Sequence, residues 1–132
     1  MSVRPTTHPL SSVQRDIWFD QILHPDVPLY NIGGYLRIDG PVDPAIFEQA
    51  VRQVVRENDA LRIILHEGDP VPMQEFREDV QFDVPFLDFS EEDNAMQKAV
   101  EWLQQVFVKP FQLYGALLFR YALVKLTFRI IR

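Results

Sequence analysis

Between Ser11 and Leu23 the apolar side chains fall at Val13, Ile17, Trp18 and Ile22. Steps of four, one and four put them on one stripe of a helix. Ser11 or Ser12 can cap that helix, and His24-Pro25-Asp26-Val27-Pro28 ends it, because proline cannot continue the ladder. Tyr30 to Ile38 carries aromatic and β-branched residues in partial alternation, which predicts a strand, and Asp39-Gly40-Pro41 is a turn signal. Asp43 and Pro44 then open a second helix as N-cap and first helical residue. Its stripe is Ile46, Phe47, Ala50, Val51, Val54 and Val55, ending near Asn58.

The apolar run Leu61 to Leu65, the turn Glu67-Gly68-Asp69-Pro70 and the run Met73 to Phe76 predict a hairpin. A further short strand is expected around Phe82 to Leu87. Ser90-Glu91-Glu92-Asp93 reads as a helix start, with Ser90 as N-cap and three acids suiting the helix dipole. The stripe Ala95, Met96, Ala99, Val100, Leu103, Val106 and Phe107 follows and stops before Pro110; a last strand is expected from about Leu117 to Leu126. The order α-β-α-β-β-β-α-β predicts an α/β (α+β) two-layer sandwich, a mixed sheet with helices packed on it. Residues 1–9, with two prolines, two threonines and a histidine, read as a flexible lead-in, and residues 10–132 as one domain.

Composition narrows the function. A net charge of −6, with 13 scattered basic residues, argues against nucleic acid. The absence of cysteine excludes disulfides, thiolate metal sites and thiol nucleophiles and fits the cytosol. The first residues hold no apolar signal core, and no window reaches the length of a membrane span, so a cytoplasmic chain is expected.

Candidate general bases are His8, His24 and His66, in the lead-in, in a proline-flanked turn and beside Glu67. Each reads as a solvated histidine rather than a catalytic one. Their spacing holds no metal-ligand pair. No Gly-x-Ser-x-Gly elbow and no Gly-x-x-x-x-Gly-Lys loop occurs. Gly33-Gly34, inside an expected strand, reads as a bulge or a close backbone approach rather than a ligand site. The acidic run at 91–93 reads as a helix start, not a metal site. No self-contained catalytic set is found.

Several segments in order resemble the condensation domains of nonribosomal peptide synthetases. Leu10-Ser11-Ser12-Val13-Gln14-Arg15-Asp16-Ile17-Trp18 is similar to the first core motif, Ser-x-x-Gln-x-x-x-Trp. Tyr30-Asn31-Ile32 and Leu36-Arg37-Ile38-Asp39-Gly40-Pro41-Val42-Asp43 resemble the first strand and its exit turn. Arg56-Glu57-Asn58-Asp59-Ala60-Leu61-Arg62 looks like the second motif, Arg-His-Glu-x-Leu-Arg, without its histidine. Gly68 and Gln74 match a following hairpin, and Pro110-Phe111-Gln112-Leu113 with Gly115 to Arg120 resembles a Pro-Phe-x-Leu-x-x-Gly-Pro-Leu-Leu-Arg segment. The resemblance runs from Leu10 to about Thr127. The third motif, His-His-x-x-x-Asp-Gly, does not follow Leu126, where the sequence reads Thr127-Phe128-Arg129-Ile130-Ile131-Arg132.

The resemblance implies the N-terminal lobe of a chloramphenicol-acetyltransferase-like fold, truncated before the catalytic motif. The complete domain joins two carrier-bound acyl or aminoacyl thioesters into an amide, as in antibiotic and siderophore biosynthesis. It implies no directly bound cofactor, since the substrates ride on carrier phosphopantetheine. The implied partners are peptidyl or aryl carrier domains and the remainder of the synthetase, with no nucleic acid and no membrane. Alone, the chain is expected to be silent, with no catalytic and no metal-binding residue. Gln14, Arg15 and Trp18 are read as structural, Trp18 as core and Gln14 as a tie between elements. Arg62 matches an arginine that pairs with the aspartate of the third motif; here it is expected to be exposed or to recruit Glu57, Asp59 or another acid, because an unpaired buried charge is costly. An uncovered apolar face and an unpaired last strand predict self-association through a sheet edge. Two further readings are a lobe of another coenzyme A- or carrier-dependent acyltransferase and a non-enzymatic fragment that binds a carrier or partner.

Overall fold

A computed structural model of the chain describes residues 4–127. It contains β1 (Thr7–Pro9), α1 (Ser12–Leu23), α2 (Pro44–Glu57), a 3-10 turn (Asp59–Arg62), β2 (Ile63–His66), β3 (Met73–Phe76), β4 (Phe86–Asp88), α3 (Ala95–Phe107) and β5 (Leu123–Lys125). The strands form two sheets, one in the order β1-β3-β2 and one pairing β4 with β5. The first is antiparallel throughout and the second parallel, so helices and sheets combine as the α/β class requires. No helix among the described residues is long and apolar enough to cross a membrane.

α1 begins at a capping box. The Ser11 hydroxyl accepts from the Gln14 amide, and the Gln14 side chain accepts in return from the Ser11 N–H. α2 starts as its sequence dictates, with Asp43 accepting from the amides of Ala45 and Ile46 and Pro44 at the first position. The β2–β3 hairpin pairs Ile63 with Phe76 and His66 with Met73. Its turn holds a cis Asp69–Pro70 peptide. A Cβ on Gly68 would collide with the Val71 carbonyl oxygen, so the turn needs glycine there. The core sits where α2 meets this hairpin: Val51, Val55, Ile64 and Leu65 are the buried apolar side chains, with Pro72 beside them. Phe82 and Phe119 meet edge to face at 5.1 Å, and Arg52 lies 4.8 Å over Phe82 while donating to its carbonyl at 3.0 Å.

Four expectations are corrected. Residues 7–9 are not a loose lead-in but a strand, each aligned with a residue of β3; residues 1–3 lie outside the described chain. The stretch from Tyr30 to Ile38 forms no ladder, because no described strand runs alongside it. α3 starts at Ala95 rather than after Ser90. Ser90 turns back instead, its amide donating to Asp88 Oδ1 at 2.9 Å and its hydroxyl bonding the same oxygen, which holds the Asp88 carboxyl below its usual range. The acids therefore precede the helix, and Asn94, in the left-handed region at φ 57°, leads into it with no side-chain cap. The last strand is confined to Leu123–Lys125 and is paired with β4; the stretch 128–132 lies outside the described residues.

Candidate functional site

An open apolar hollow of about 2470 Å3 dominates the molecule, walled by α1, α2, α3, the 30–44 segment and the 118–127 stretch. Such concavities are where ligands and partners bind. The polar groups around it mostly hold its walls together.

The α1 wall is tied at two points. Gln14 and Gln74 exchange amide hydrogen bonds at 2.8 and 3.1 Å, and Gln74 also donates to the Pro9 carbonyl at 3.0 Å. Gln74 is the buried polar residue of the core region, so these bonds satisfy an amide that burial would otherwise penalise. One stride along the helix, Trp18 Nε1 donates to the Tyr114 hydroxyl at 2.8 Å. Trp18 is half-buried at the rim of the hollow rather than a core residue, since no residue of α1 is buried. Arg15 is exposed, and its side chain makes no ion pair or hydrogen bond among the described residues.

Arg62 does not do what was expected of it. Half-buried, it pairs with no acid among the described residues; instead its guanidinium donates to the carbonyls of Arg77, Val55 and Arg56, each at 2.8 Å. Carbonyl dipoles in the last turn of α2 and just past β3 thus take the role assigned to a carboxylate. Sequence reasoning could not find this, because the acceptors are backbone atoms brought in by the fold.

A second clamp was not anticipated. Asn31 donates to the carbonyls of Phe107 and Lys109 at 2.9 and 3.1 Å, and Arg120 donates to those of Val106, Lys109 and Pro110 while its guanidinium stacks 3.8 Å over Phe111. Both bond carbonyls in and just past the last turn of α3, among them that of Val106, which also accepts from the Lys109 amide at 3.2 Å. Gly33 approaches the same helix end so closely that a Cβ would lie 2.8 Å from Phe107 Cδ2, the close backbone approach expected of the glycine pair; Gly34 faces open space. The signal available in the sequence was the Gly33-Gly34 pair, not the two side chains beside it.

The three histidines stay apart. The His8 ring packs against Phe76 at 5.7 Å, His24 Nδ1 lies 3.2 Å from the Asp20 carbonyl, and His66 Nε2 lies 2.8 Å from Glu75 Oε1. Arg77 also donates to Glu75, at 3.0 Å, and together with His66 it holds the Glu75 carboxyl below its ordinary value, against the opposing pull of burial. None of these histidines faces a hydroxyl or amine nucleophile, and no cluster of three or more metal-ligating side chains forms among the described residues.

A family model described as Condensation domain matches residues 5–129. Among curated proteins, the chain is 36% identical over 114 residues to a dimodular nonribosomal peptide synthase of Bacillus subtilis (strain 168), covering 86% of this chain and 5% of that protein. It is 32% identical over 122 residues to an isonitrile lipopeptide synthase of Streptomyces coeruleorubidus, covering 90% of this chain and 8% of that one. Among solved structures it superposes on the starter condensation domain of the rhizomide synthetase RzmA with a TM-score of 0.85 at 38% identity, covering 91% of this chain and 29% of that one. A variant of that domain in complex with C8-CoA matches at a TM-score of 0.87 and 37% identity, covering 92% of this chain and 28% of the other. The first condensation domain of the calcium-dependent antibiotic synthetase matches at 0.84 and 25% identity, over 92% of this chain and 30% of that one. The chain thus spans less than a third of the solved chains and less than a tenth of the synthases.

Proposed function

The chain belongs to the condensation domain family of nonribosomal peptide synthetases, and from that premise we propose that residues 10–132 act as part of the N-terminal lobe of such a domain. The complete domain brings two carrier-bound thioesters together. The acceptor amine attacks the donor thioester carbonyl, a C–N bond forms, the C–S bond breaks and the carrier thiol leaves. The donor and acceptor arrive on carrier phosphopantetheine, so carrier domains and the rest of the synthetase are the partners, and the cytoplasm is the working compartment. The lobe contributes one wall of the tunnel and no reacting group, and it is silent alone. Left by itself it associates with further copies of itself.

The observation that carries this reading is the hollow. Its walls are apolar and tied in place by Gln14, Trp18, Asn31 and Arg120. A wall of a larger site has this character.

The test is a chimera in which this chain replaces the matching segment of the rhizomide starter condensation domain, assayed for amide formation from an acyl donor and an aminoacyl carrier thioester. The expected result is product from the chimera and none from the chain alone. A folded chimera without activity sinks the lobe reading, and turnover by the chain alone sinks its silence. A second reading, with the donor delivered on coenzyme A, draws on the relative solved in complex with C8-CoA; the same chimera given an acyl-CoA in place of the donor carrier separates the two.

A further inference from the structure

Three stretches of chain that wall the hollow meet at one backbone oxygen. Asn31, from the 30–44 segment, and Arg120, from the 118–127 stretch, each donate to the Lys109 carbonyl just past α3, both at 3.1 Å. A carbonyl oxygen has two lone pairs, and these two donors fill them. Asn31, Lys109 and Arg120 all line the hollow.

Neither donor has freedom left. The Asn31 amide nitrogen carries two N–H groups, and both are used, on the carbonyls of Phe107 at 2.9 Å and Lys109. Arg120 Nη1 also serves Val106 at 3.1 Å, its Nη2 serves Pro110 at 3.3 Å, and its plane lies 3.8 Å over the Phe111 ring. The in-plane bonds hold the guanidinium against sliding, and the stack holds it against tilting. No acid pairs with Arg120 among the described residues, so its charge serves the carbonyls. Gly33 adds a stop: the chain passes so close to Phe107 that a Cβ would collide.

We propose that Asn31 and Arg120 are positioning residues for the condensation reaction. They fix the spacing of the walls at 30–34 and 118–122 across the end of α3, and that spacing decides which acyl groups the finished site accepts. The proposal rests on the reading of the hollow as one wall of the tunnel. Its substrate class is a thioester with an apolar acyl chain, because the lining residues next to the clamp in sequence are Ile32, Phe107, Val108, Phe111 and Tyr121. Neither side chain reacts; each acts through the wall it fastens. An apolar site tells apart chains that differ by one methylene by roughly tenfold, provided that its walls do not yield.

Two substitutions probe the clamp with little change of shape. Asn31→Asp is nearly isosteric but has no N–H to donate. Arg120→Lys keeps the charge but loses the planar fork that reaches three carbonyls and stacks. Should one variant misfold by circular dichroism, the other decides. The first measurement is made on the full chain, which holds no cysteine. Spin labels on Gly34→Cys, where a Cβ meets open space, and Ala122→Cys report the distance between the two walls. The expected result is one narrow distance in the parent and a broader distribution in each variant.

The second measurement uses the chimera with the rhizomide starter domain and a series of straight-chain acyl donors. The parent chimera is expected to prefer one chain length over the next by about tenfold in kcat/KM, and the variants to bring that ratio close to one. A variant that merely folds less well lowers every rate alike and leaves the ratio unchanged. A wall distance that stays narrow in the variants, or a ratio that does not move, would overturn the proposal. A chimera silent before any substitution sinks the lobe reading instead, and the label distances then decide whether the clamp fixes the walls.

Discussion

The corner where α2 meets the β2–β3 hairpin and the strip at 32–38 are built from the same kinds of residue and end in opposite states. In the corner, Val55 and Ile64 are 1% and 2% exposed; in the strip, Ile32 and Leu36 are almost wholly exposed. The corner draws both faces of its core from one stretch of sequence, residues 43–77, with Asp43, Pro44 and Gly68 setting the turns that bring the faces together. The strip touches the end of α3 only at its start, through Asn31 and Gly33. Hydrophobicity decides that a side chain is to be buried; the chain order decides whether a partner is within reach.

The sharpest way to break that contrast is to truncate both sides alike. Ile64→Ala is expected to cost about 3 kcal/mol of stability, the range for a buried large-to-small change. Leu36→Ala, in the monomer, is expected to fall within about 0.5 kcal/mol of wild type. Urea unfolding of each at low protein concentration measures both, and equal losses would erase the distinction between the regions.

A smaller effect is expected at the edge of the corner. Gln14→Ala removes the partner of a buried amide and leaves Gln74 with the Pro9 carbonyl alone, at a cost of about 1–2 kcal/mol. A double-mutant cycle with Gln74→Leu separates the pairing from the desolvation: the second substitution is expected to recover part of the loss. Simple additivity would mean that the two amides act independently.

The smallest expected effect is electrostatic. Arg77 first, and His66 after it, hold the Glu75 carboxyl below its ordinary value. A carboxyl whose folded value is lowered contributes stability above its unfolded value, and that contribution is lost as pH falls through the folded value. Exchange protection of the hairpin is therefore expected to weaken as pH drops below about 4.5, and Glu75→Gln is expected to flatten that dependence. Because Arg77 is partly exposed, the change should stay below about 1 kcal/mol. An unchanged acid profile in the variant would remove Glu75 from the account.

The corner was also the most legible part of the sequence. Asp43-Pro44 and the stripe behind it announce α2, and Glu67-Gly68-Asp69-Pro70 announces the hairpin, because each signal acts on its immediate neighbours. Elsewhere, local signals lost to tertiary context. Ser90 has the right chemistry for an N-cap but finds Asp88 two residues back. The alternation from Tyr30 to Ile38 is that of a strand, yet a ladder requires a second backbone that no periodicity in the stretch can supply. At the hollow, Gln14 and Trp18 were visible as motif residues, whereas their partners Gln74 and Tyr114 lie 60 and 96 positions away. Arg62 was visible as a charge, but its three carbonyl acceptors belong to the backbone and leave no trace in side-chain chemistry.

The parallel pairing of β4 with β5 has a consequence for the order in which the molecule assembles. The β2–β3 hairpin is closed by the short stretch 67–72, whereas β4 and β5 can meet only after residues 89–122, with α3 among them, have been brought round. By chain-closure scaling alone the longer loop costs about 1.5 kcal/mol more entropy before its first contact forms. The hairpin and α2 lie N-terminal to β4, so on the ribosome they can collapse while β5 is still unsynthesised. The second sheet is then the late event, and the hollow acquires its final wall only when that event is complete.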